Sequence, residues 1–66
     1  MKYTITRFGG AYIIRRPATD NPFVNWEIFS GYDFMGSVNW TEKVTSESVM
    51  DLNEAKDIVR DLRAAD

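Results

Sequence analysis

Apolar residues recur at every second position between Tyr3 and Thr41 and at every third or fourth from Leu52 onward. The first spacing is that of a half-buried strand, the second that of an amphipathic helix. The switch predicts a small sheet written first and one helix written last to cover it.

Residues 2–8 and 11–16 flank Gly9-Gly10. That pair suits a two-residue hairpin turn, because primed turns need positive φ and glycine adopts it freely. Closing the chain there pairs Phe8 with Ala11, Arg7 with Tyr12, Thr6 with Ile13, Ile5 with Ile14 and Thr4 with Arg15. One face then collects Tyr3, Ile5, Tyr12 and Ile14. The other collects Thr4, Thr6, Phe8, Ala11, Ile13 and Arg15.

Residues 17–23 hold two prolines and an Asp-Asn pair and read as a loop. Alternation resumes over 24–29, with Val24, Trp26 and Ile28 on one side, and over 34–40, with Phe34, Gly36, Val38 and Trp40 on one side. A three-residue turn at Ser30-Gly31-Tyr32 faces residue 28 with 34, 26 with 36 and 24 with 38. It sets the Trp26 indole across from Gly36, where a missing side chain leaves room.

Residues 42–50 are polar and read as a connector. Asp51-Leu52-Asn53-Glu54 resembles a capping box, with Asp51 accepting from the backbone of Glu54. Leu52, Ala55, Ile58, Val59, Leu62 and Ala65 follow on an arc of about 140°, a core-facing stripe. The predicted fold is α+β: a four-stranded antiparallel sheet of two hairpins with one C-terminal helix on one face, in the order ββββα.

At 66 residues the chain is read as a single domain, 1–66, with one core. There is no Cys and no His, so disulfides, thiolate metal sites and imidazole catalysis are excluded. Support must come from the aromatic residues, two Trp, three Tyr and four Phe, or from an oligomeric partner. No apolar run approaches the roughly 20 residues of a membrane span. The start, Met1-Lys2-Tyr3-Thr4, lacks the apolar core of a signal peptide, so a cytoplasmic location is expected. Asn39-Trp40-Thr41 matches the glycosylation sequon, a coincidence in a chain without such a signal.

The formal charge of −2 is unevenly spread. Lys2, Arg7, Arg15 and Arg16 share the first nineteen residues with no acid, while all ten acids lie beyond them with the other four bases. A basic hairpin carrying Tyr3, Phe8 and Tyr12 suits phosphate contact with base stacking. Nucleic-acid binding through Lys2, Arg7, Arg15 and Arg16 is therefore the alternative function. Four charges are few for it, and the acidic remainder opposes a polyanion. Arginines at a strand end also guard against edge-to-edge pairing.

Catalytic readings fare worse. Ser46 and Ser48 have no His to activate them, and Lys43 and Lys56 stand in no recognisable motif. Asp57 and Asp61, with Glu54, lie opposite the apolar stripe beside Lys56 and Arg60, the pattern of a solvated ion-pair face. No enzyme activity, cofactor, metal site or small-molecule substrate is expected.

One helix can cover only one sheet face. The covered face is expected to take Tyr3, Ile5, Tyr12, Ile14, Val24, Trp26, Ile28, Phe34, Val38 and Trp40. The other then presents Phe8, Ile13, Arg15, Phe29 and Met35 among small polar groups, the composition of an interface centre. These five are the candidate protein-binding residues, and homodimerisation through the same face is compatible with them. The expected function is a small non-catalytic protein-binding module using the open face or an edge strand. In size and composition the chain resembles the small accessory proteins of phages and mobile elements. That resemblance implies inhibition of a host complex by occluding its surface.

Overall fold

Gly9 decides the first hairpin. In the computed structural model, which describes residues 2–18 and 25–65, Gly9 has a φ of 61° and Gly10 is not in the positive region. A turn with positive φ at its first central residue alone is type II′, whose twist matches that of the strands it joins. Strand β1 (Thr4–Phe8) and strand β2 (Ala11–Pro17) therefore pair in the expected register, from Phe8 with Ala11 through to Thr4 with Arg15. Strand β3 (Trp26–Tyr32) and strand β4 (Val38–Thr41) complete an antiparallel sheet in the order β1-β2-β3-β4. Helix α1 (Leu52–Ala65) closes the chain against β2. Its first turn is held as anticipated, the Glu54 amide donating to Asp51 Oδ1 at 2.7 Å. The α+β architecture is the one expected. The residues at 19–24, including most of the expected loop and Val24, lie outside the described part.

The second hairpin differs from expectation. Ser30-Gly31-Tyr32 is not a turn; β3 runs on through it. Ile28 faces Thr41 and Phe29 faces Trp40, but Tyr32 faces Val38, a shift of one residue across an irregularity that holds Gly31 at a φ of 85°. The turn falls instead over residues 33–37. A bulge inverts side-chain parity, and a slip of one residue moves a whole strand to the other face.

The consequence is a reversal of faces on β3. Phe29, expected in the open, is 2% exposed and packs with Tyr3, Ile14, Met50, Ala55, Val59 and Leu62 in the core. Trp26 and Ile28, expected under the helix, lie on the opposite side, Trp26 beside Pro17 and Ile28 beside Arg15. Tyr3, Ile5, Tyr12, Ile14, Val38 and Trp40 stand on the core side as expected.

Aromatic rings extend the core past the reach of a single helix. Trp40 stacks on Tyr3 with centroids 6.0 Å apart and meets Phe29 edge-on at the same distance. The Arg16 guanidinium lies 3.9 Å from the Trp40 ring centre, with its Nε donating to Glu27 Oε1 at 3.0 Å.

The connector is a structural part of the sheet. Where β3 bulges, Met50 takes its place beside β2 and exchanges both backbone hydrogen bonds with Tyr12 at 2.8 and 3.0 Å. Ser48, with no exposed surface, accepts from the Thr45 amide at 3.1 Å. Thr45 Oγ1 lies 3.1 Å from Ser48 Oγ and 3.3 Å from Ser30 Oγ, a short chain of hydroxyls that satisfies groups buried there. On the face away from the helix, Ile13 is 4% and Ile28 8% exposed. That side of the sheet is therefore not the open apolar surface anticipated.

Candidate functional site

Of the five residues expected to form an open patch, the fold buries two. Phe29 is in the core and Ile13 is sealed on the opposite face. The expected patch fails on two counts: the bulge turns Phe29 to the core side, and the reverse face is itself covered at Ile13 and Ile28. Phe8 remains half exposed at the hairpin end of β1, while Arg15 lies further along β2, its guanidinium 4.6 Å from the Trp26 ring centre. Phe8 pairs with Ala11 and Trp26 with Pro17. The six-residue rise of β2 between those pairs, at about 3.3 Å each, separates them by on the order of 20 Å. They do not form one patch.

Met35 is brought into a different setting. It stands with Phe34 at the tip of the β3–β4 turn, Met35 75% and Phe34 97% exposed, with the half-exposed Tyr32 at its base. Phe34 was expected beneath the helix; the displaced turn puts it in water instead. The tip is well defined. Asp33 Oδ1 accepts from the amides of Met35 at 2.8 Å and Ser37 at 2.9 Å. The Gly36 amide donates to the Asp33 carbonyl at 3.0 Å, the Asp33 amide donates to the Ser37 carbonyl at 2.8 Å, and Gly36 sits at a φ of 85°. An Asp side chain closing a turn on amides two and four residues ahead is a local, self-sufficient device. It leaves the two large apolar side chains pointing away from the core. Leaving a Phe in water forgoes about 1.5–3 kcal/mol of burial.

The basic hairpin does not act as one surface. Arg7 and Arg16 alternate with Ile5 and Ile14 on the helix side, and Arg15 is on the reverse. Arg16 is tied to Glu27 and Trp40, and Arg15 is laid on Trp26. Lys2 is exposed just before β1. The four cations that motivated a nucleic-acid reading are thus divided between two faces.

A second basic feature was not legible in the sequence. Between β1 and α1 lies a groove of about 430 Å³ lined by Tyr3, Ile5 and Val59 with Lys56, Arg60 and Arg63. Its floor is apolar and its rim is cationic. Arg60 is shared with Asp57 at 3.7 Å and Asp61 at 3.8 Å, exposed pairs that contribute little to stability. The charge pattern had shown Lys56 and Arg60 only as part of a solvated helix face; the fold sets them beside an edge strand.

No helix among the described residues is long and apolar enough to cross a membrane, and no group of three or more His, Cys, Asp or Glu there could hold a metal ion. No protein-family model matches the chain, and no curated protein or solved structure is significantly similar to it.

Proposed function

We propose that this chain is a small non-catalytic protein-binding module whose contact is centred on the β3–β4 tip. The observation that carries the reading is Phe34, almost wholly in water on a turn clamped by Asp33. Aromatic residues and Met are enriched at the centres of protein interfaces. A clamped turn also loses little further freedom on docking, which leaves more of the contact energy for affinity.

The electrostatic surroundings favour a protein over a polyanion or an anionic membrane. No Lys or Arg occurs between Arg16 and Lys43, whereas Glu27, Asp33 and Glu42 do. Amphipathic segments that enter anionic membranes carry the opposite charge. A non-catalytic role agrees with the hydroxyls: Ser30, Thr45 and Ser48 are engaged with one another, and no His is present to activate a nucleophile. In this reading the module acts by occupying a partner's surface, as in the inhibition that its small size and composition suggest.

The test is affinity capture from an extract of the native host with the immobilised chain, alongside Phe34→Asp/Met35→Asp and Phe8→Asp. Loss of the captured protein with the tip variant and retention with Phe8→Asp is the expected result. Equal capture by all three would overturn the tip as the contact. Light scattering on the same proteins shows whether the captured partner is a second copy.

A further inference from the structure

The free edge of the sheet and the basic groove are one surface. In the β1–β2 ladder, Tyr12 directs both its N–H and its C=O away from β1, to Met50. In an antiparallel pair, residues directly opposite each other point these groups the same way, either toward each other or apart. Arg7, opposite Tyr12, and Ile5, opposite Ile14, therefore aim their backbone groups outward from the sheet edge. No described residue pairs with them, because β1 ends the strand order. The side chains of Tyr3 and Ile5 form the floor of the groove beside that edge, and Lys56, Arg60 and Arg63 stand across from it.

We infer that β1 is a docking edge for an extended acidic segment of another protein, which adds to the sheet as a fifth strand. Backbone pairing with Ile5 and Arg7 supplies register, as in other strand-addition complexes. Every second side chain of such a strand faces the helix side, where carboxylates meet Lys56, Arg60 and Arg63. The intervening side chains face the side of Thr4 and Thr6, where small β-branched residues fit. Charge argues against a second copy in this place. Pairing β1 with itself through Ile5 and Arg7 would set the Arg7, Lys56, Arg60 and Arg63 of both copies on one face of the joined sheet, like charge beside like. Charged residues are a device by which natural edges avoid self-pairing. Asp57 and Asp61 already share Arg60, so Lys56 and Arg63 offer the freer charges.

This surface is on the opposite edge of the sheet from the β3–β4 tip, and the inference does not rest on the tip. The probe is an acetylated, amidated heptapeptide of alternating threonine and glutamate. Its controls are the same peptide with lysine for glutamate, the glutamate peptide N-methylated at alternate amides, and oligothymidylate. Binding is read by fluorescence anisotropy at low salt, and amide hydrogen exchange is read by NMR. The expected result is binding of the glutamate peptide alone, weakened about tenfold or more by Lys56→Glu/Arg63→Glu and unchanged by Phe34→Asp. The amides of Ile5 and Arg7 should slow in exchange on binding, while that of Thr6, already paired to β2, does not. Equal binding of the N-methylated peptide or oligothymidylate would reduce the groove to a polyanion site and overturn strand addition. No binding of the glutamate peptide at millimolar concentration would overturn it as well. A milder Lys56→Gln/Arg63→Gln variant, checked by circular dichroism, guards against misfolding; undiminished binding in both folded variants would also overturn the inference.

Discussion

Asp33 Oδ1 accepts the Met35 amide at 2.8 Å, and through that bond a polar side chain fixes an apolar neighbour in water. The same oxygen holds Ser37 at 2.9 Å. Asp33→Ala removes the single acceptor of both hydrogen bonds at an exposed site, with an expected loss of about 1 kcal/mol. For a domain of this size that lowers the thermal midpoint by roughly 4–8 °C. Asp33→Asn keeps an acceptor oxygen and should recover most of the difference. Thermal melts of the three proteins check this; an Asn variant as weak as the Ala variant would show that the oxygen is not the clamp.

Gly31 and Gly36 share a φ of 85°, and a Cβ added at either meets nothing within 4 Å. Gly31→Ala and Gly36→Ala are thus tests of backbone strain alone, each expected to cost about 1–2 kcal/mol. Gly10, also in open space but without positive φ, serves as the control. Gly10→Ala should lie within about 0.5 kcal/mol of wild type in urea denaturation. Similar losses at all three positions would mean that steric crowding or the unfolded chain, and not φ, sets the cost.

These local devices explain what the sequence made legible and what it hid. The first hairpin could be read to the residue because Gly9-Gly10 fixes the turn length, and turn length fixes every pair. The helix could be read because its cap at Asp51 and its stripe at Ala55, Val59 and Leu62 agree. The second hairpin misled because Phe34 continues an apolar alternation that the backbone abandons. The Asp33 clamp uses one carboxylate and leaves no glycine pair as a signature, and the bulge at Ser30-Gly31 changes parity without changing composition. With that change of parity Phe29 turns to the core and Trp26 to the reverse face, the opposite of what the alternation predicts. Met35 is exposed because it stands at the turn tip, on no strand. The basic groove was invisible because Ile5 and Lys56 become neighbours only when the helix packs on β2 and so borders β1.

Ser48 is wholly buried, with its hydroxyl bonded to the Thr45 amide and adjoining the Thr45 hydroxyl. Ser48→Ala leaves the amide without its acceptor, at an expected cost of about 1–3 kcal/mol. Ser30 belongs to the same chain of hydroxyls through Thr45. Ser30→Ala should therefore cost less in the Ser48→Ala background than alone, a coupling that a double-mutant cycle in urea would measure. Strict additivity would mean that the hydroxyls act independently and that the connector is held by Met50 and Tyr12 without them.

Phe29 and Phe34 are five residues apart, and the fold assigns them opposite fates. Phe29 is 2% exposed against Trp40 and Tyr32, whereas Phe34 is 97% exposed. Phe29→Asp buries a carboxylate with no cation beside it among its ring contacts and also removes an aromatic anchor of the core. Losses above about 4 kcal/mol follow from that combination. A small domain has total stability on the order of 5 kcal/mol, so Phe29→Asp should show no cooperative unfolding transition at 25 °C. Phe34→Asp removes no contact in the core and should melt within about 0.5 kcal/mol of wild type. Circular dichroism melts of the two variants discriminate the observed register from the alternating one. A folded Phe29→Asp beside an unfolded Phe34→Asp would restore the strand through residue 34 and overturn both the bulge and the tip.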